Sequence, residues 1–155
     1  MSSGSERVQA AIARLGFEHR VVVLAETART AQDAAQALGC AVAQIAKSLV
    51  FRGADSGRPV LVIASGVNRV NQAAVAALVG EPIEKADADF VRAQTGFAIG
   101  GVPPLGHATP LRTLLDLDLQ QHEELWAAAG TPHAVFRLAP AELQAMTAGE
   151  WVVIA

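Results

Sequence analysis

A single cysteine, Cys40, stands among 155 residues, so no intramolecular disulfide framework holds this chain and a reducing compartment is its expected setting. Its context, Leu38-Gly39-Cys40-Ala41, reads as a small residue after a helix end rather than as a nucleophile. Positive charge is scarce too: 12 Lys and Arg face 15 Asp and Glu, a formal net charge of −3. That balance excludes the broad basic face with which duplex binders displace counterions, so DNA is not an expected partner and any nucleic-acid contact is small and local. Long hydrophobic runs are missing although 52% of the residues are apolar. The runs present are strand-sized, and the polar start Met1-Ser2-Ser3-Gly4-Ser5 lacks a signal-peptide core, so no membrane partner and a cytoplasmic location are expected.

The usual hydrolytic signatures are lacking as well. Ser65, in Ile63-Ala64-Ser65-Gly66-Val67, has neither flanking glycine of a nucleophile elbow. His19, His107, His122 and His133 are scattered, with no cysteine pair to complete a zinc site. Phosphate-binding and dinucleotide glycine fingerprints are also missing. An enzyme built on this chain would work without a metal, a cofactor or a conventional nucleophile.

What is present is one well-punctuated domain spanning residues 1–155, long enough for one core and too short for two. Ser5 is placed to cap a helix over residues 6–15, with Val8, Ala11, Ile12 and Leu15 inward and Gly16 as its stop. A strand follows at 20–24, and Thr30 with Asp33 opens a helix that Gly39 ends. Strands at 47–52 and 59–65 flank a polar hairpin turn. Asn71 caps a third helix ending at Gly80, and residues 87–95 form a shorter one stopped by Gly96. Strands at 112–117 and 133–138, a helix started by Pro140 and a strand at 150–154 complete the chain, with a helix-like composition over 122–129. The mixture predicts an α+β domain with a curved, mostly antiparallel sheet.

Two segments carry possible chemistry. Lys47 opens a strand that is apolar on both faces, and its ammonium either sits partly desolvated awaiting an anion or snorkels past the sheet edge to solvent. Gly100-Gly101-Val102-Pro103-Pro104-Leu105-Gly106-His107 is a rigid loop whose amides suit an oxyanion, or simply a tight turn.

Together these segments resemble the YbaK family, which includes the editing domain inserted in bacterial prolyl-tRNA synthetases and its free-standing relatives. The likeness runs the length of the chain, through the helix opening at Thr30, Gln44-Ile45-Ala46-Lys47-Ser48-Leu49, Thr95-Gly96-Phe97, and Gly101-x-x-Pro104-x-Gly106-His107. It implies a six- or seven-stranded, mixed β-barrel-like sheet surrounded by helices, with residues 122–129 as a strand. It also implies hydrolysis of the ester joining a mischarged small amino acid to tRNA, tRNA(Pro) first, with attack by an ordered water assisted by the substrate itself. By the same resemblance Lys47 engages the terminal phosphate and ribose, and Gly100 and Gly101 stabilise the oxyanion. Thr30, Pro104, Gly106 and His107 line the substrate, with His107 bonding either to its own loop or to the substrate. Leu49, Ile63 and Ile99 either set the size limit of the sieve or belong to the core. Gly130-Thr131-Pro132-His133 departs from the glycine-rich or arginine-containing turn of many relatives, which sets the chain apart from the cysteinyl-tRNA(Pro) deacylase. The expected partner is an aminoacyl-tRNA acceptor end, held by a few contacts such as Arg29, Arg52, Arg69 or Arg92 or with help from a synthetase or elongation factor. Asn68 and Asn71 are candidates for ribose or phosphate contacts, and Trp126 and Trp151 for base stacking. The rival reading is a non-catalytic module of the same fold that binds a tRNA end or a synthetase.

Overall fold

The computed structural model describes residues 3–155; Met1 and Ser2, part of the polar start, lie outside the described residues. Helix α1 (Gly4–Arg14) is capped by Ser3 rather than Ser5: the Ser3 hydroxyl accepts from the Glu6 N–H while the Glu6 carboxylate accepts from the Ser3 N–H. Val8, Ala11 and Ile12 are buried as the spacing demands, but Leu15 lies past the last turn and is 52% exposed. Thr30, Asn71 and Asp87 cap α2 (Ala31–Leu38), α3 (Gln72–Val79) and α4 (Ala88–Thr95), each of which ends on a left-handed glycine. Helix α5 (Pro140–Thr147) starts on its proline.

Among the described residues, eight strands form one open mixed sheet in the order β1-β7-β6-β2-β3-β5-β8, with β4 attached to β2 off this path. They are β1 (Val21–Val23), β2 (Ile45–Gly53), β3 (Pro59–Ser65), β4 (Ile83–Lys85), β5 (Arg112–Asp116), β6 (Leu125–Ala128), β7 (Ala134–Leu138) and β8 (Glu150–Val152). The strand count exceeds the six or seven expected, and the outermost strands β1 and β8 do not pair, so the sheet is not closed into a barrel. Four of the seven pairings are antiparallel, while β2–β6, β3–β5 and β5–β8 are parallel.

Two of these strands ran against local composition. β6 alternates buried Leu125 and Ala127 with half-buried Trp126 and Ala128, because pairing with β7 and β2 outweighs the helix preference of Glu, Leu and Ala. β4 is short and charged, and it exists through its pairing with β2 and the bond from the Ala54 N–H to the Pro82 carbonyl. β3 is the buried spine, every residue from Val60 to Ser65 being buried. On one of its faces Leu61 and Ile63 pack with α1, α5 and Phe136; on the other Val60, Val62 and Ala64 pack with Val75, Leu114 and Ile154.

Candidate functional site

The site begins with a gap in the sheet. β6 pairs only with Ile45 and Ala46 of β2, and β4 only with Phe51, Arg52 and Gly53, so between them one edge of β2 has no strand beside it among the described residues. The Gly66 N–H donates to the Ile45 carbonyl (2.8 Å) and the Gly53 N–H to the Arg58 carbonyl (2.9 Å), so the odd-numbered residues of β2 bond toward β3. Ser48 therefore turns its N–H and C=O toward the gap, and its Oγ is buried without a hydrogen-bond partner among the described residues.

A cleft of about 610 Å3 fills that gap, walled by β2, β6, the start of α2 and the turn at Ile99-Gly100. Lys47, Gly100, Thr30, Leu49 and Ile99 all line it, so the structure brings five of the expected site residues together. Much of the remaining wall is small: Ala28, Ala31, Ala34, Ala46, Ala127 and Ala128. Its lining holds no Cys, His, Asp or Glu, so the carboxylate, imidazole and thiol bases of the usual hydrolases are missing from this wall.

Lys47 is half-buried and forms no ion pair among the described residues. Desolvation lowers its pKa below the ordinary 10.5 and Arg69 lowers it further, while Asp116 pulls the other way. Asp116 is 2% exposed and already engaged: Oδ2 accepts from the Ser65 N–H (2.9 Å) and Asn68 Nδ2 (2.8 Å), and Oδ1 accepts from the Asp118 N–H (3.0 Å). An anion arriving beside Lys47 therefore meets a cation that has no ion-pair partner among the described residues, Asp116 acting on it only from a distance.

Gly100 is the third residue of a turn closed by the Gly101 N–H and the Ala98 carbonyl (3.0 Å), and its φ of +94° is the value a type II turn requires there. The Gly100 N–H has no acceptor among the described residues. Gly101 differs. Its N–H is used by Ala98, its carbonyl accepts from the Gly130 N–H (2.9 Å), and a Cβ on it would lie 2.8 Å from Thr131 Cα. It serves close packing of the loop against the β6–β7 turn rather than presenting an amide.

The other expected residues fall elsewhere. Ile63 is fully buried in the core beneath β2. Pro104, Gly106 and His107 line a separate depression beside α1 and Met146, because the loop turns away from the cleft after Val102. Asn71 caps α3, and Asn68 bridges Asp116 and Asp118 (2.8 Å each). Trp126 lines the cleft, whereas Trp151 packs against the core. The sequence reading missed Ser48, the alanine wall and Asp116. Only Asp116 left a signal, a carboxylate directly after the apolar Leu114-Leu115 of a strand, which needs partners if buried.

His107 Nε2 lies 2.7 Å from the Pro103 carbonyl, which can only accept, so Nε2 carries the proton. Burial holds the imidazole below its ordinary 6.5, opposed by that hydrogen bond. The unfolded chain takes up a proton at about pH 6.5 and the folded chain only at lower pH, so the unfolded state binds more protons in that window. The contribution to stability is fully present above that pH and is lost as pH falls through it. Urea denaturation between about pH 5 and 8 should show this slope in the wild type and a flatter one in His107→Gln; identical slopes would place the titration on another group.

Comparison with known proteins agrees with this architecture. The model of the aminoacyl-tRNA editing domain matches residues 25–146. The uncharacterized protein YwhH of Bacillus subtilis is 30% identical over 126 residues, covering 81% of this chain and 80% of that protein. EbsC of Enterococcus faecalis, named as a candidate Cys-tRNA(Pro)/Cys-tRNA(Cys) deacylase, is 28% identical over 81% of this chain and 76% of its own length. A crystal structure of a candidate trans-editing enzyme for prolyl tRNA synthetase superposes with a TM-score of 0.93 at 48% identity, covering 99% of this chain and 98% of that one. By this match, which spans most of the chain and agrees with the fold and the cleft, the chain belongs to the aminoacyl-tRNA editing domain family, of the YbaK type.

Proposed function

We propose that this protein is a trans-editing deacylase that hydrolyses the ester of a small, mischarged amino acid on tRNA, with tRNA(Pro) as the first candidate and no metal in the reaction. The observation that carries the reading is Lys47, a partly desolvated cation without an ion-pair partner among the described residues, set in a cleft beside a Gly100 N–H that has no acceptor among them.

In this reading the terminal phosphate and ribose of the tRNA neutralise Lys47, and the Gly100 N–H holds the ester carbonyl and the oxyanion that forms on it. Water adds to the carbonyl carbon, the bond to the ribose oxygen breaks, and that oxygen leaves with a proton. A cleft wall with no Asp, Glu, His or Cys supports a proton path through the substrate, whose neighbouring ribose hydroxyl is the nearest group able to relay it. Among the described residues there is no group of three His, Cys, Asp or Glu able to hold a metal. The alanine wall suits a small side chain, which is the sieve needed because a synthetase pocket gains only about 1–3 kcal/mol per missing methylene.

Single-turnover hydrolysis of tRNA(Pro) charged with alanine, serine, cysteine or proline, with and without a chelator, tests the proposal. Rapid, chelator-resistant release of one small residue and not of proline is expected. Lack of a carboxylate or imidazole base is also what a non-catalytic module binding a tRNA end or a synthetase would show. Rates equal to buffer for these and other charged tRNAs would overturn the deacylase and move that second reading ahead.

A further inference from the structure

The cleft does not end at the loop. Beyond the ridge of Leu49, Ile99 and Gly100 lies a second lobe of about 330 Å3, and Ser48, Leu49, Ile99, Gly100 and Val102 line both spaces. The first lobe carries Arg29 and Lys47, the second Arg69 and Lys85, and neither wall includes an Asp or Glu. In a chain with 15 Asp and Glu and a net charge of −3, every charged side chain lining these two adjoining lobes is a cation. Gln72, the first residue of α3, adds the positive end of a helix dipole to the second lobe.

The rest of the second lobe is apolar, with Val50, Phe51, Val70 and Val91 as walls and Ile99, 58% exposed, standing at the divide. Ser48 sits at the junction with its buried Oγ unpartnered and its main-chain polar groups facing the gap in the sheet. A groove that pairs cations with apolar platforms is the chemistry that grips single-stranded nucleic acid. A small amino-acid side chain needs neither two cations nor this volume, and the alanine wall of the first lobe already suits it.

We infer that the second lobe is the subsite for the nucleotide preceding the terminal adenosine, with its base against Ile99 and the apolar wall and its phosphate between Arg69 and Lys85. The inference rests on the deacylase reading above and adds to it a second recognition step, so the aminoacylated adenosine alone does not fill the groove.

The test compares two minimal substrates, the alanyl or seryl esters of adenosine 5′-monophosphate, which keeps the phosphate assigned to Lys47, and of the 5′-phosphorylated dinucleotide 5′-phosphocytidylyl-(3′,5′)-adenosine, in the wild type, the Arg69→Ala/Lys85→Ala double variant and Arg137→Ala, an exposed cation outside both lobes. The wild type should prefer the dinucleotide in kcat/KM by about tenfold or more, the scale of charge-assisted phosphate contacts. That preference should fall to within about twofold in the double variant and persist in Arg137→Ala. Equal wild-type rates on the two esters, or an equal loss on both in the double variant, would overturn the subsite and leave the deacylase standing. Affinities for the non-hydrolysable alanyl amides of the same two compounds decide the case in the absence of turnover. A dinucleotide preference abolished in the double variant would support the subsite while the deacylase reading failed, and equal affinities would overturn it.

Discussion

Replacing Lys47 by methionine is expected to lower kcat/KM for deacylation by about 10- to 100-fold, the range of a lost charge-assisted contact to phosphate, while leaving the thermal midpoint unchanged or raised. The two halves of this result have one cause. Lys47 is half-buried, is depressed by desolvation and by Arg69, and forms no ion pair among the described residues. An unpaired cation in that place costs the free protein stability, and only an arriving anion offsets the cost. Methionine keeps an unbranched stem against the β2 wall and removes the charge. Loss of activity together with unimpaired stability is the mark of a residue kept for binding rather than for packing. Kinetics of Lys47→Met on a charged tRNA, with a thermal melt of the same sample, provide both readings. A variant as active as the wild type would remove Lys47 from the site, and a variant both inactive and several degrees less stable would make its role structural.

The contrast between Lys47 and His107 shows what a sequence reveals of such a site. Lys47 was legible because a lysine at the start of a strand apolar on both faces is a local anomaly. His107 resembled a site residue because it closes a glycine- and proline-rich loop, yet the chain turns after Val102 and carries Pro104, Gly106 and His107 to another depression. Nothing local marks that turn; it follows from Gly101 packing on Thr131 and bonding to Gly130, residues about thirty positions away in the sequence. Helix caps at Thr30, Asn71 and Asp87 and the β2–β3 hairpin were likewise readable, since each is settled within a few residues. The opening in the sheet was not. It exists because β6 and β4, far apart in the chain, each cover only one end of β2, and Ser48 acquires its significance from that register alone.

Asp116→Ala is expected to be the most destabilising single change near the site, at about 3–5 kcal/mol. A buried carboxylate here accepts from the Ser65 N–H, the Asn68 amide and the Asp118 N–H, and alanine removes all three bonds; Asn68 keeps Asp118 and the exposed Asp118 N–H can meet water, but the Ser65 N–H lies in a residue only 1% exposed and is left without an acceptor. The loss passes directly to the cleft. The turn after β3 clamps the start of β2, with Ser65 Oγ donating to the Ala43 carbonyl (2.8 Å) and the Gly66 N–H to the Ile45 carbonyl (2.8 Å). A side chain at Gly66 would meet the Val42 carbonyl, so the turn has no slack to take up a shift. Without Asp116 the clamp loosens two residues from Lys47, and the deacylation rate should fall even at temperatures where the variant remains folded. Asp116→Asn offers one acceptor oxygen where the carboxylate uses two and presents an NH2 group to a donor, so its cost should lie between those of wild type and alanine. Asp118→Ala, which removes one of the two Asn68 contacts, should cost under about 1 kcal/mol. Urea midpoints of the three variants, beside single-turnover rates at saturating enzyme, give the ordering. If Asp116→Ala stayed within about 1 kcal/mol of wild type, the three hydrogen bonds would be individually weak and the turn would hold its place through Gly66 packing alone.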